Sequence, residues 1–100
     1  MKSELFNQYA SAIAELSGID KSDIFLKTKR REVSDCRHLL YYMCKKSMIN
    51  ISYIRKYMKD NGYETESYPV SYGIKSVKNK VDKDPHYSSI VSKIESQVNF

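Results

Sequence analysis

The sequence predicts an all-α fold of five to six helices that includes a helix-turn-helix. Apolar residues recur at helical spacing along most of the chain, and the breaks in this spacing fall at residues that typically begin or end helices. A chain of 100 residues is long enough for one domain with a small core. We therefore expect residues 1–100 to form a single helical domain, with the helix-turn-helix at about residues 50–81.

The first half of the chain predicts two helices separated by a short turn. Residues 1–17 carry a wide apolar face, and Gly18 is placed to end this helix. Asp20 can cap a brief helical turn within residues 19–26. A longer helix follows at about residues 32–47, because apolar residues return there every three or four positions.

Residues 50–81 predict two further helices joined by a polar turn. The first has an apolar stripe preceded by Asn50, whose side chain can cap it. An Asp-Asn-Gly sequence then breaks the helical pattern, and residues 59–69 form a long polar connection. A second stripe defines a helix at about residues 70–81. The two stripes are Ile51, Ile54 and Met58 in the first helix and Ile74, Val77 and Val81 in the second.

The last helix has the clearest start in the chain. Asp84 is a favourable N-cap, and Pro85 is favourable as the first helical residue. The apolar residues that follow recur at helical spacing and are expected to close the core from the far side. They are Tyr87, Ile90, Val91, Ile94 and Val98.

The charge pattern favours a polyanionic partner. Seventeen lysines and arginines against twelve aspartates and glutamates give a net charge of +5, which suits nucleic acid or serves only solubility. The helix at about 70–81 carries lysines opposite its apolar stripe, which suits the major groove of double-stranded DNA, although ordinary helices also have solvated basic faces. The basic run at residues 27–31 precedes a helix, where the macrodipole disfavours cations, so it is expected either to contact phosphate or a groove of DNA or to form only a solvated corner of the fold. The predicted DNA-binding residues are Lys27, Lys29, Arg30, Arg31, Ser71, Tyr72, Lys75, Ser76, Lys78, Asn79 and Lys80.

The start of this recognition helix is expected to face the bases, because N-terminal residues of such helices reach base edges. Val70, Ser71 and Tyr72 occupy its predicted first turn. Tyr72 has the chemistry to discriminate most, since its ring can lie against a thymine methyl group. In the alternative interpretation, Tyr72 packs against Tyr68 or Pro69 and holds the connection in place.

No pattern in the sequence predicts an enzyme. The three glycines are scattered and form no phosphate-binding loop. His38 and His86 stand without a suggestive partner, and Cys36 and Cys44 lie roughly 12 Å apart on one predicted helix, too far for a disulfide. We expect no catalytic residue, metal or cofactor. The sequence also has no apolar run near 18 residues and no signal-peptide pattern, so we expect a cytoplasmic protein without membrane contact.

Five fragments along about residues 6–98 occur in an order that is similar to that of a known family. They are GIDKSDIF at 18–25, KRREV at 29–33, Arg37-His38 followed by Tyr42-Met43-Cys44, SYGIKSVKNKV at 71–81 and DKDPHYSSIVSKI at 82–94. Together they resemble the C-terminal DNA-binding domain of the bacterial replication initiator DnaA, a helix-turn-helix domain related in shape to Trp repressor. The resemblance implies a DnaA-like fold and double-stranded DNA as the partner.

The resemblance also implies a shared contact and a different target. Arg31 matches the family's arginine that enters the minor groove. Val70, Ser71, Tyr72 and Ser76 stand where the family has other, base-reading residues, so the DNA site is expected to differ. The nucleotide-binding motif of DnaA is absent from the sequence. A free-standing domain of this kind is expected to regulate transcription or DNA replication in a bacterial or phage-infected cell, plausibly for a phage or mobile element.

A second function remains open on the same residues. The sequence has nine tyrosines, and several of them fall in the segment 59–72. Tyrosines are frequent in protein interfaces because they combine an apolar ring with a hydroxyl. The alternative is therefore a helix-turn-helix fold used as a protein-interaction or phage structural module, with loop 59–72 as the contact surface.

Overall fold

The computed structural model describes residues 2–98, and this part of the chain consists of five α-helices and one 3₁₀ helix. No β-strand occurs within it, which confirms the predicted all-α fold class. No helix in this range is both long and apolar enough to cross a membrane. The elements are α1 (Lys2–Ser17), the 3₁₀ helix (Lys21–Phe25), α2 (Arg31–Lys46), α3 (Ile51–Asp60), α4 (Ser67–Lys83) and α5 (Pro85–Gln97).

The first helix ends at the predicted glycine. Gly18 has a φ of 71°, and the N–H of Ile19 donates to the carbonyl of Ala14 at 3.1 Å, as in a Schellman motif. The predicted capping role of Asp20 is wrong, because its side chain makes no capping hydrogen bond. The backbone carbonyl of Asp20 instead accepts from the N–H of Asp23 at 3.0 Å, and this i→i+3 bond closes a 3₁₀ turn without help from a side chain.

Helix α2 contributes the largest set of core residues and packs against both α1 and α4. Its predicted apolar stripe is buried, as are both cysteines, which are free thiols. After its last residue the chain turns through Met48, which has a φ of 68° and is 84% exposed. The N–H of Ile49 then donates to the carbonyl of Cys44 at 3.0 Å. Met48 therefore occupies the position after a helix where glycine is usual.

Helix α3 begins and ends as predicted. The Asn50 side chain accepts a hydrogen bond from the N–H of Tyr53 at 3.1 Å. Gly62, with a φ of 92°, follows the last turn, and the N–H of Tyr63 donates to the carbonyl of Met58 at 2.9 Å. Ile54 and Met58 are fully buried, so the predicted stripe does face the core.

Helix α4 begins at Ser67, three residues before the predicted start at Val70. Pro69 was expected to precede the helix, but it occupies the third helical position. Proline is tolerated in the first turn because the N–H that it lacks would have no partner there. Val70 is fully buried, so its predicted position facing DNA is wrong.

Helix α5 closes the core against α1 and α4. Its N-terminus is the predicted one, since the Asp84 carboxylate accepts from the N–H of His86 at 2.9 Å and Pro85 is the first helical residue. Val91 and Ile94 are buried. A single residue, Asp84, separates the last two helices.

Candidate nucleic-acid interface

The outward side of α4 carries most of the predicted DNA-contacting side chains. The helix buries Val70, Gly73 and Val77, most extensively against α2. Side chains on the other sides of α4 are exposed or half-buried. Tyr72, Lys75, Lys78 and Asn79 are exposed, and Ser71, Ser76 and Lys80 are half-buried.

The early start of α4 adds Tyr68 to this surface. Tyr68 lies in the first turn and is 77% exposed, and its ring centroid is 6.4 Å from that of Tyr72. Ser71 and Tyr72, which were expected in the first turn, lie in the second. The predicted alternative contact between Tyr72 and Tyr68 exists, yet Tyr72 remains 55% exposed. The two tyrosines are four residues apart in the sequence, a spacing that puts side chains next to each other on a helix. This spacing is the sequence feature that indicates an earlier start of α4.

Gly73 allows α4 to approach α2 closely. A Cβ atom at this position would lie 2.7 Å from Cδ2 of His38 and 3.0 Å from Cδ2 of Tyr41, which are both on α2. The ring of Tyr72 meets that of His38 edge-on, with centroids 5.9 Å apart. These contacts fix which side of α4 faces outward. An isolated glycine within a helical pattern is the signal for such a contact, although it does not identify the partner.

The segment from residue 27 to 31, here called the basic segment, is anchored by Arg37. This arginine is only 6% exposed. Its guanidinium donates to the backbone carbonyls of Ile24 and Leu26 at 2.8 Å each and of Thr28 at 3.3 Å. A planar guanidinium suits this task because it presents several N–H donors in a fixed arrangement. No feature of the sequence predicts that Arg37 is an anchor, since arginines are rarely buried.

Tyr63 joins the basic segment to the connection between α3 and α4. The Arg37 guanidinium lies 4.6 Å from the centroid of the Tyr63 ring, and the ammonium group of Lys27 lies 4.8 Å from it. Lys27 also donates to the carbonyl of Glu64 at 2.9 Å. Lys27 is thus engaged within the molecule, and the basic segment packs on the connection.

The remaining cations of the basic segment differ in what they contact. Arg30 pairs with Glu32 through a distance of 2.7 Å between exposed groups. Lys29 and Arg31 are exposed, and no side chain within residues 2–98 forms an ion pair with either. Arg31 is the first residue of α2, whose N-cap residue makes no side-chain capping bond. Lys29 and Arg31 are therefore the cations of this segment most accessible to an anionic ligand.

The lysines of α4 also divide into two groups. Lys75, Lys78 and Asn79 line one shallow depression together with Asp82, whose carboxylate lowers the local positive charge. The ammonium group of Lys80 lies 5.2 Å from the centroid of the Tyr87 ring on α5. Lys75 and Lys78 are thus directed to solvent, whereas Lys80 is partly engaged by its own fold.

Arg55 holds the connection of residues 61–66. Its guanidinium donates to the carbonyl of Thr65 at 3.0 Å and to the hydroxyl of Ser67 at 3.3 Å, and it pairs with Glu66 at 3.3 Å. The acidic charge of Glu66 is thereby partly offset. The connection is longer than the usual three or four residues of a helix-turn-helix. Instead of a tight turn, the contacts of Arg55 hold the residues that lead into α4.

The titratable groups of α2 are shaped by burial. Burial raises the pKa of the Cys36 and Cys44 thiols, so both remain protonated and are poor nucleophiles. Burial also lowers the pKa of His38 below its ordinary value of 6.5; Asp35 opposes this effect, and Lys80 adds to it. His38 is therefore a neutral packing partner of α4 at pH 7.

Comparison with models of protein families gives no match, and comparisons with curated proteins and with solved structures give none either. Within residues 2–98, no group of three or more histidine, cysteine, aspartate or glutamate side chains is arranged to hold a metal ion. The basic and aromatic surface of α4 is thus the feature from which a function can be inferred.

Proposed function

We propose that the chain binds double-stranded DNA through α4, with Lys29 and Arg31 on the adjacent backbone or in the minor groove. The observation that carries this proposal is the orientation of α4. Its apolar side rests on α2, and its cations and hydrogen-bonding groups point away from the core. An α-helix with such an outer side fits the major groove of B-DNA, which is about 12 Å wide.

The exposed side chains of α4 differ in what they offer DNA. Lys75 and Lys78 supply positive charge for phosphate groups, which position a protein without reading sequence. Asn79 can pair with adenine through its amide, and Ser71 offers a hydroxyl to several bases. Tyr72 offers a hydroxyl together with an apolar ring suited to a thymine methyl group.

The position of the basic segment relative to α2 supports contact with the same duplex. Arg31 lies seven residues before His38 on α2, which is about 10 Å along the helix axis. His38 contacts Tyr72, and the seven-residue spacing puts Arg31 on the same side of α2 as His38, two turns before it. Arg37 keeps the preceding residues against the domain. This arrangement supports simultaneous contact of α4 and the basic segment with neighbouring parts of one DNA.

The class of DNA-binding protein that fits best is a small helix-turn-helix regulator of transcription or replication, related to the DnaA C-terminal domain. The order of the helices and the basic entry to α2 support this assignment. Such a regulator acts in the cytoplasm of a bacterial or phage-infected cell. Its DNA site differs from that of DnaA, because Ser71, Tyr72 and Ser76 replace the family's base-reading residues.

A salt titration with random-sequence duplex DNA tests the proposal. Binding through several phosphates weakens steeply with salt, by a slope of about −0.9 in log affinity per phosphate contact. Lys75→Gln and Lys78→Gln are each expected to reduce the magnitude of that slope by about one. Lys93→Gln, on the exposed side of α5, is the matched control and leaves the slope unchanged. Absence of binding at about 50 mM salt would overturn the proposal.

The protein-interaction alternative is favoured by one observation, the exposure of Tyr68 and Tyr72. These tyrosines lie in the first two turns of α4 and not in a loop, because the connection between the helices covers only residues 61–66. Tyrosines of this kind act as rigid anchors in protein interfaces. In this alternative the lysines of α4 contribute only to the rim of an interface. Affinity for DNA is then absent at every salt concentration, so the same titration separates the two functions.

A further inference from the structure

Two tyrosine rings stand out from the exposed side of α4. Tyr68 and Tyr72 are 77% and 55% exposed, respectively, and lie one helical turn apart. Their ring centroids are 6.4 Å apart, and their planes are inclined by 31°. Large rings left in water forgo the stabilisation that burial would give. A pair of them on a packed helix therefore indicates a contact surface.

One ring of the pair, that of Tyr72, packs against His38 of α2, which lies close to the buried Tyr41. Tyr72 meets His38 at an interplanar angle of 77°, and the centroid of His38 lies 6.4 Å from that of Tyr41. Tyr41 is 2% exposed, and Gly73 sets the distance between the two helices at this point. The rings of Tyr41, His38 and Tyr72 thus contact one another in series from the core to the solvent. Tyr72 is held before any ligand arrives, so it loses little conformational freedom on binding.

The surroundings of the ring pair are cationic. Lys75 follows Tyr72 by three residues, and Lys78 lies one turn further along α4. Two carboxylates precede the rings, those of Glu64 and Glu66, and the one closer in sequence, Glu66, is paired with Arg55. An apolar peptide would gain nothing from these lysines. A strand of nucleic acid would satisfy both features, because it carries phosphate charge and flat bases together.

In a regular duplex the base faces are stacked on one another, and only the base edges reach the grooves. The face of a tyrosine ring can stack on a base only where that base is unpaired. We propose that Tyr68 and Tyr72 stack on unpaired bases, so that α4 binds DNA with a single-stranded gap more tightly than fully paired DNA. This inference rests on the proposed function, since it assigns the ring pair to the same DNA-binding surface.

The test compares a fully paired duplex with one that has a central gap of about four nucleotides, a length within the range that one protein domain covers. The gap contains 2-aminopurine, whose fluorescence falls when it stacks on an aromatic ring, and affinities are measured by anisotropy. The native chain is expected to prefer the gapped DNA and to quench the probe. Tyr68→Ala loses about 5-fold to 150-fold in affinity for gapped DNA, the loss typical for one stacked base. Tyr68→Phe keeps the preference, because stacking needs the ring and not the hydroxyl.

Tyr53→Ala is the matched control, because Tyr53 is 42% exposed on α3 and its ring stacks on Tyr57. This variant keeps both the preference and the quenching. Equal affinity of the native chain for the two DNAs, or an unchanged preference in Tyr68→Ala, overturns the stacking proposal and leaves duplex binding intact. Binding to gapped DNA alone overturns duplex binding and leaves stacking intact. Binding to neither DNA overturns both.

Discussion

Arg37 is the residue on which the position of the basic segment depends. Its guanidinium donates to the backbone carbonyls of Ile24, Leu26 and Thr28, and it lies against Tyr63. The Leu26 carbonyl also accepts from the N–H of Thr28 at 2.9 Å, so the other two depend more on the guanidinium. Buried acceptors without a donor are costly, and the cost is largest when the missing donor was charged. In the proposed mode of DNA binding, Arg37 therefore acts indirectly, through the placement of Lys29 and Arg31.

Arg37→Lys is expected to lower the free energy of unfolding by about 1–3 kcal/mol, because an ammonium group cannot reproduce the fork of donors. Arg31→Lys, at the exposed start of the same helix, changes it by less than about 0.5 kcal/mol. Urea denaturation followed by circular dichroism gives both values. Equal effects of the two substitutions would show that the three carbonyls do not depend on the guanidinium.

Met48 is the non-glycine residue with a positive φ in the described chain, at 68°. A side chain in this conformation costs about 1–2 kcal/mol, which glycine avoids, although glycine gains more freedom in the unfolded state. Met48→Gly is therefore expected to raise the free energy of unfolding by about 0.5–1 kcal/mol. Met48→Ala keeps the Cβ atom and serves as the control, with little change. A lower stability of the glycine variant would mean that the 84% exposed side chain makes contacts that matter.

His38 gives stability a dependence on pH. Burial lowers its pKa below 6.5; Asp35 opposes this shift, and Lys80 and Arg37 add to it. Between the folded and unfolded pKa values the unfolded chain binds more protons, so the contribution of His38 is present above pH 6.5 and is lost as the pH falls below it. Urea midpoints at pH 7.5 and 5.5 are expected to show this loss for the native chain and for His86→Gln. In His38→Gln the loss is smaller, and an unchanged loss would contradict the assignment.

At the scale of the element, α4 depends on a division between its two sides. Val77 is 1% exposed, whereas its neighbour Lys78 points to solvent. Val77→Ala is expected to lower the free energy of unfolding by about 1–3 kcal/mol, because it removes buried methyl groups. Lys78→Ala changes it by less than about 0.5 kcal/mol. If the urea midpoint falls more for Lys78→Ala, the outward side of α4 is wrongly assigned and the DNA-binding model fails with it.

Helix ends that depend on local chemistry could be predicted from the sequence. Asn50 and Asp84 cap their helices through their own side chains, and Gly18 ends α1 through its own backbone. The start of α4 could not be placed in this way, because Pro69 is compatible both with a turn and with a first helical turn. Its place within the helix depends on the distant Arg55, which fixes the residues just before it.

The candidate site was predicted less completely than the fold. Periodicity placed Lys75, Lys78 and Asn79 on the outward side of α4, because only the local pattern matters there. The roles of Arg37 and Gly73 depend on partners distant in sequence, namely the carbonyls near residues 24–28 and the ring of His38. A single sequence contains no direct record of such pairs.

At the scale of the whole molecule, the net charge is +5, and the cations that contribute to it lie at different distances from the proposed DNA-binding surface. Arg31 is exposed at the entry to α2, and Lys93 is exposed on α5. Arg31→Glu is expected to weaken DNA binding about tenfold, or about 1.4 kcal/mol, whereas Lys93→Glu has a much smaller effect. An acidic residue at the start of a helix is favourable, so loss of folding does not confound the comparison. Anisotropy titrations at one salt concentration decide, and equal losses would indicate diffuse attraction by net charge.

The ring of Tyr63 has a kinetic consequence for DNA binding as proposed. It lies against Lys27 and Arg37 while its backbone belongs to the connection that leads into α4. Once either attachment has reached a duplex, the other is already nearby at an effective concentration in about the millimolar range, without a long search. If DNA is bound as proposed, the lifetime of the complex is expected to reflect two weak attachments acting together, and to depend on Tyr63 although this side chain is not proposed to contact DNA.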